Sequence, residues 1–206
     1  MGLTPIVSGS VSIAGTTLRG NSRKARLARA RDVQLIFQDP YSSLDPRMTI
    51  GEILSEGIQV RGRLGAAERQ DRIVELLEQV NLDAAYRTRL ARELSGGQRQ
   101  RVAIARALAA QPKLIIADEI TSALDVSVQA LILNLLRETR QRENLSMLFI
   151  SHNLATVRYL SDEIAVMRHG KLVERAGTEE LIGSPKEQYT RDLLAAVPDL
   201  RTSPVR

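Results

Sequence analysis

Asp118 and Glu119 stand side by side at the end of "KLIIADE", Lys113 to Glu119. A continuous apolar run that ends in acids reads as a central parallel strand, and open parallel sheets bind ligands beyond the carboxyl ends of their strands. An aspartate in that place commonly holds the Mg2+ of a nucleoside triphosphate, and a neighbouring glutamate can orient or deprotonate the attacking water. Acids there also close strands or cap the next helix, so the pair gains weight only from company. His152 follows "LFIS" at the end of a second such run, and Gln38 ends a third, "VQLIFQ". Three strands would then deliver a glutamine, two acids and a histidine to one rim. A lone histidine is more often a packed or capping residue than a catalytic one.

A second constellation is "ELSGGQRQRVAIARAL", Glu93 to Leu108, which places two glycines after a serine and runs into an arginine-studded apolar helix. Unpaired N–H groups at a helix start carry the positive end of its dipole, and glycine lets an anion approach the backbone closely. The pattern predicts a phosphate site. Yet no G-x-x-x-x-G-K-[ST] phosphate loop occurs in the 206 residues. Gly15 to Ser22 satisfies the glycine spacing and ends in serine, but Asn21 replaces the lysine that reaches the β- and γ-phosphates, and the stretch reads as a decoy.

These groups need positioning elements. "GSVSIAGTTL", Gly9 to Leu18, alternates apolar and small polar residues between glycines, as an edge strand or hairpin does. Val33 to Gln38 is a short buried strand ended by Asp39-Pro40. From Thr49 to Asn81 the period turns helical, with Ile73, Leu76, Leu77 and Val80 at three- and four-residue spacing, and this middle reads as an inserted subdomain. After Pro112 come the strand Lys113 to Asp118, a helix Val126 to Arg142, and a buried strand Met147 to Ser151. Glu163 to Ala176 then reads as two strands turning at His169-Gly170. Strand and helix in alternation imply a parallel sheet covered on both faces. The chain end after Pro198 has no pattern.

At 43% hydrophobic and 26% charged, the chain can bury a sizeable core within the length of one domain. No apolar run approaches the roughly 20 residues that cross a bilayer, and Met1 to Asn21 lacks the charged start and apolar centre of a secretory signal. The expectation is a cytoplasmic chain. With no cysteine and only His152 and His169, disulfides, thiolate metal sites and histidine clusters are excluded, so any metal comes with a ligand. The net charge of +5 and the cluster Arg19 to Asp32 raise nucleic acid as a partner. With 3% aromatics and no tryptophan there is little to stack bases on, and a solvated helix face is the better reading.

Taken together, "LSGGQ" (Leu94 to Gln98), "LIIADE" (Leu114 to Glu119), "SALD" (Ser122 to Asp125) and "ISHN" (Ile150 to Asn153), with Gln38, resemble the nucleotide-binding domain of an ABC transporter, in the right order. "FQDPYSSLDPRMTIGEI", "TSALDVSVQA" and "YTRDLLAAVP" are similar to the ATPase subunits of dipeptide, oligopeptide and nickel importers, and the likeness covers nearly the whole chain. The resemblance implies an α/β fold with a parallel-sheet core of the P-loop NTPase, RecA-like kind. An inserted α-helical subdomain, a small antiparallel β portion and an N-terminal truncation go with it. The implied segments are core strands at 1–38, the helical subdomain with the signature motif at 39–108, core again at 109–178, and an importer-type tail at 179–206.

The resemblance also implies roles. Gln38 would contact Mg2+ or the water and link the core to the helical subdomain, Asp118 would hold the metal shell, and Glu119 would be the general base. His152 would touch the γ-phosphate, Asp125 would bridge a dimer interface, and Ser95, Gly96, Gly97 and Gln98 would grip the γ-phosphate of ATP bound mainly by the opposite subunit. ATP and Mg2+ would be the cofactors. Implied partners are a second ABC ATPase subunit, identical or different, integral membrane permease subunits and a separate solute-binding protein. Nucleic acid is not expected, and the location would be cytoplasmic, peripheral on the inner face of the cell membrane. Two departures stand out: Ile120 where the family commonly has proline, and Glu187-Gln188-Tyr189 where importers of this kind usually show His-Pro-Tyr. The missing phosphate loop is expected upstream of Met1. Without it, the rival expectations are a non-catalytic module that only lends its signature motif to a partner, and a soluble ABC ATPase acting on nucleic acid or ribosomes.

Overall fold

Strand β3 (Val33–Ile36) lies parallel to β4 (Leu114–Asp118), with Val33 opposite Leu114 and Ile36 opposite Ala117. Both strands are short apolar runs whose inward residues Val33, Ile36, Ile115 and Ala117 are buried, as expected of a central parallel pair. In this computed structural model, residue 4 and residues 6–17, 22–39, 43–122 and 124–196 are described. β5 (Ser146–Ile150) follows β4 in the sheet order β3-β4-β5, starting one residue before the apolar run that predicts it. The helix between them, α5 (Val126–Arg142), buries Ile132, Leu135 and Leu136, the three- and four-residue spacing of an inward stripe. Strand and helix alternation thus yields a parallel-sheet α/β core.

Ahead of the sheet, β1 (Ser12–Ile13) and β2 (Thr16–Thr17) form an antiparallel hairpin. Its two turn residues, Ala14 and Gly15, have φ of 47° and 75°, the left-handed pair that a tight hairpin turn needs. Gly15 therefore belongs to a hairpin, and Ser22, at the other end of the decoy loop, caps helix α1 (Arg23–Asp32) by accepting the Ala25 N–H at 3.2 Å. Residues 18–21 of that stretch lie outside the described residues. Within the arginine-rich α1, Arg26 and Leu27 face solvent while Arg29 is buried at 7% exposure, so the solvated face predicted for the cluster is not uniform.

The helical stretch from Thr49 to Asn81 resolves into α2 (Ile50–Gln59) and α3 (Ala66–Gln79), parted at 60–65 where Gly62 takes φ of 154°. Thr49 starts α2 with a reciprocal cap: its hydroxyl accepts from Glu52 N, and the Glu52 carboxylate accepts from Thr49 N at 2.8 Å. α2 buries Ile50, Ile53, Leu54 and Ile58, α3 buries Ile73, Leu76 and Leu77, and each such side chain contributes about 1.5–3 kcal/mol of burial. Both pack with α4 (Gly96–Ala109), whose Val102, Ile104 and Ala105 are fully buried. The α2–α4 crossing is close because Gly57 has no side chain: a Cβ there would meet the Arg106 carbonyl oxygen at 2.7 Å. Two 3-10 helices, Ala84–Thr88 and Ala91–Glu93, lead into α4, and a single bridge between Thr49 and Leu90 ties that approach to the start of α2.

At Leu148 to Phe149 the chain passes from one compact unit into a second. In the second, α6 (Leu154–Leu160) precedes a hairpin of β6 (Glu163–Arg168) and β7 (Lys171–Gly177) that turns through His169 and Gly170 at φ of 49° and 76°, where the sequence places the turn. Val157, Ile164, Val166 and Leu181 form its core, with Phe149, Val173 and Tyr189 packed against them. Helices α7 (Thr178–Gly183) and α8 (Gln188–Ala195) close the described residues. The patternless end from 197 on lies outside them.

Candidate nucleotide site

The β3–β4 register pairs residues 81 apart, and Gln38 and Glu119 are also 81 apart, so both leave the carboxyl edge of the sheet at the same level. There the Gln38 amide Nε2 donates to Glu119 Oε2 at 2.9 Å and lies 3.4 Å from Ser122 Oγ. The Glu119 backbone has φ of 48°, a left-handed conformation that costs a non-glycine residue about 1–3 kcal/mol. Three contacts hold it there. Ser122 N and Ser122 Oγ both donate to the Glu119 carbonyl, at 3.1 and 2.9 Å, and the next side chain, Ile120, is buried at 1% exposure. An apolar anchor thus stands where the resembled family commonly has proline. Asp118, one residue earlier, ends β4 with its side chain exposed.

Among the described residues no three His, Cys, Asp or Glu side chains gather as a metal cage. Mg2+ carried by a triphosphate does not need one: one or two carboxylates complete a shell made otherwise of phosphate oxygens and water. The exposed Asp118 at the sheet edge, one residue before the Glu119 that Gln38 meets, fits that donor set.

The serine-glycine turn forms a second cluster. Ser95 caps α4 reciprocally with Gln98: Gln98 N donates to Ser95 Oγ at 3.4 Å and Ser95 N donates to Gln98 Oε1 at 3.0 Å. Gln98 Nε2 also donates to the Tyr86 hydroxyl at 2.9 Å. Gly96 and Gly97 form the first turn, where backbone N–H groups lack helical acceptors. A Cβ on Gly97 would lie 2.5 Å from Val128 Cγ1, so this glycine also lets α4 and α5 meet. Ser95, Gly97, Gln98, Tyr86, Arg101 and Val128 are among the residues around an open hollow of about 330 Å3.

Asp125 joins this second cluster through its helix. It caps α5, accepting from Val128 N at 2.9 Å and from Ser127 Oγ at 2.6 Å, and the Ser127 hydroxyl first, then the Val128 N–H, hold its carboxyl below the usual carboxylate range. His152 falls in the second compact unit, exposed, two residues beyond β5 and one before Asn153, which caps α6 by accepting from Ala155 N at 3.0 Å and Thr156 N at 3.2 Å. Gln38, Asp118 and Glu119 are therefore together on the sheet edge, and Ser95, Gly96, Gly97 and Gln98 lie together at the start of α4 beside the helix that Asp125 caps.

Sequence reasoning missed three residues. Ser122 was visible only as part of a motif, and its grip on the Glu119 carbonyl needs the turn to be seen. Tyr86 and Val128 carry no local signal: one is an isolated aromatic in a polar 3-10 stretch, the other an ordinary apolar residue of a helix.

A family model described as ABC transporter matches residues 1–122. The chain is 49% identical over 192 residues to the oligopeptide transport ATP-binding protein OppF of Bacillus subtilis, covering 92% of this chain and 63% of that protein. It is 43% identical over 199 residues to the di/tripeptide transport ATP-binding protein DppF of Pseudomonas aeruginosa, covering 97% and 62%. The chain thus spans less than two thirds of the length of these relatives. Among solved structures, cbiO1 of Clostridium perfringens, part of the ABC transporter complex cbiONQ, superimposes with a TM-score of 0.79 at 24% identity over 89% of this chain and 71% of that one. The ATP-binding cassette MJ0796, solved as a dimer in a post-hydrolysis state with ADP and Pi, gives 0.72 at 28% identity over 84% and 74%. Shared motifs, shared fold and the family match agree: the chain belongs to the ABC transporter family, with the parallel-sheet core of a P-loop NTPase.

Proposed function

We propose that this chain is the ATP-binding, ATP-hydrolysing part of an importer for peptides or related solutes, nickel among them. The observation that carries the reading is the hydrogen bond between Gln38 and Glu119 at the carboxyl edge of a parallel sheet, formed by two motifs far apart in sequence. In this reading Glu119 takes the proton of the attacking water, Gln38 orients the carboxylate and reports the state of the helical segment that follows it, and Asp118 holds the Mg2+ of the nucleotide. When bound there, Mg2+ would supply positive charge to offset that of the phosphates. Ser95 and the N–H groups of Gly96 and Gly97 meet the γ-phosphate of ATP held by a second ABC subunit, with Gln98 beside them. Asp125 lies at that subunit boundary, and His152 touches the γ-phosphate.

The segments 1–38, 39–108, 109–178 and 179–206 serve as core, helical subdomain, core and tail, and the helical subdomain receives integral permease subunits on the inner face of the membrane. A separate solute-binding protein delivers the cargo. Similarity to OppF and DppF supports the peptide class. The 206 residues contain no phosphate-loop lysine, and the acids at the sheet edge offer a triphosphate only negative charge, so these residues by themselves bind Mg-ATP weakly and do not turn it over. In a second reading the chain lends only its signature turn to a complete partner.

Phosphate release decides between them. A chain with a G-x-x-x-x-G-K-[ST] loop supplied ahead of Met1 hydrolyses Mg-ATP, and Glu119→Gln in that chain lowers the rate about 10² to 10⁴-fold while ATP binding persists. Residues 1–206 run alongside release no phosphate above background. Turnover untouched by Glu119→Gln removes Glu119 as the base, and a loop-bearing chain without turnover leaves the partner-lending reading.

A further inference from the structure

The Gln98 side chain is engaged at both ends. Its Oε1 accepts from Ser95 N at 3.0 Å and its Nε2 donates to the Tyr86 hydroxyl at 2.9 Å, a bond that is partly buried. An amide held at oxygen and nitrogen cannot rotate without breaking one of the two. Tyr86 is itself fixed. The 3-10 helix that carries it starts from Asp83, which accepts from Ala85 N at 2.7 Å, and the Arg89 guanidinium lies 4.4 Å from the Tyr86 ring centroid. Arg89 N donates to the Tyr86 carbonyl at 3.0 Å, and the Arg89 carbonyl accepts from Ile50 N at 2.9 Å at the start of α2. An unbroken set of short contacts therefore runs from the first residue of α2 through Arg89, Tyr86 and Gln98 to Ser95. Tyr86, Gln98, Ser95 and Gly97 also border the same hollow of about 330 Å3.

We infer that Tyr86 is a positioning residue of the signature turn: its hydroxyl holds the Gln98 amide, and through it the Ser95 cap, so that the Ser95 hydroxyl and the Gly96 and Gly97 N–H groups meet a phosphate already aligned. The inference rests on the reading above that this turn meets a partner's nucleotide. Preorganised donors are worth more than mobile ones because no ordering is left to do when the ligand arrives. The contacts also give the start of α2, twelve residues beyond Gln38 in the chain, a fixed path to the turn. A purely structural tyrosine would act through its ring, whereas a positioning tyrosine acts through its hydroxyl, and Tyr86→Phe separates the two. Phenylalanine keeps the ring, its packing and the arginine over its face, and deletes only the oxygen that Gln98 meets.

The test uses the chain with a phosphate loop supplied ahead of Met1 and Glu119→Gln to keep ATP intact, with Mg-ATP-driven dimerisation followed by sedimentation. Tyr86→Phe weakens the dimer about 5- to 10-fold per signature turn, the worth of one hydrogen bond, and lowers Tm by less than about 4 °C. In a Gln98→Ala background the same substitution adds less than about twofold, because its effect passes through Gln98. A dimer unaffected by Tyr86→Phe, or weakened equally with and without Gln98, overturns the inference while leaving the proposed function standing. Failure of the Tyr86 parent to dimerise with Mg-ATP overturns that function, and the inference falls with it.

Discussion

Replacing Gly97 by alanine asks whether this glycine is there for a ligand or for a helix. The added Cβ would sit 2.5 Å from Val128 Cγ1, 3.5 Å from its Cγ2 and 3.6 Å from its Cβ. Carbon atoms rest at about 3.5–4.0 Å, so the first contact is short by about 1 Å and something must move. Valine in a helix has one strongly preferred rotamer, so Val128 yields poorly and α4 and α5 must part. Overpacking of this kind costs about 1–3 kcal/mol. Alanine returns up to about 1 kcal/mol over glycine in a helix interior, less in a first turn. The net is a loss of about 1–2 kcal/mol, which lowers Tm by about 2–8 °C in a chain of this size. Urea and thermal unfolding of residues 1–206 would measure it. In a Val128→Ala background the clashing methyls are gone, and Gly97→Ala becomes neutral or mildly stabilising. Equal losses in both backgrounds would refute the clash as the reason for the glycine. The double variant has a second use: once folded and unstrained, it shows through ATP-driven dimerisation of the loop-bearing chain whether close phosphate approach also demands glycine there.

Two further outcomes follow from buried and capping groups. Gln100 on α4 is fully buried, and neither atom of its amide has a hydrogen-bond partner among the described residues, so Gln100→Met, similar in size and helix propensity, should raise stability by about 1–2 kcal/mol in urea unfolding; a loss would mean that an ordered water satisfies the amide. Asp125 and Glu52 both have folded pKa values below their unfolded ones, Asp125 chiefly through the Ser127 hydroxyl and Glu52 chiefly through the Thr49 N–H. A depressed carboxylate contributes fully above its unfolded pKa and loses that contribution as pH falls through the lower, folded value, so these caps keep stability level from pH 7 to about 5 and let it drop below about 4. Asp125→Asn keeps a capping oxygen but removes the titration, and acid unfolding of that variant should be shallower than that of the parent; an unchanged slope would exclude Asp125 from the acid response.

The elements that carry the site were legible because their causes are local. "KLIIAD" is apolar without a break and ends in acids, and β4 runs Leu114–Asp118. The serine before two glycines announced a helix start, and Ser95 caps one. The apolar period from Val126 to Arg142 gave the bounds of α5, although its cap, Asp125, was singled out only through the resemblance. Each depends on neighbours within about four residues, the range over which caps and helical periodicity act. What the sequence by itself determined was therefore which segments become strand or helix, and that Asp118 closes one of those strands.

Tertiary structure alone decided which side chains meet. Gln38 reaches Glu119 only because β3 and β4 adopt a register of 81 residues, and a slip of one would turn the two to opposite faces. Glu119 takes a left-handed backbone because Ser122 folds back onto its carbonyl while Ile120 is drawn into the core. Gly97 is confined by a valine 31 residues later in the chain, and Gln98 is held by a tyrosine 12 residues earlier through a 3-10 turn that no period announces. Such partners are chosen by helix crossings and strand offsets, and those are set by how all the apolar faces pack at once rather than by the residues beside each group in the chain.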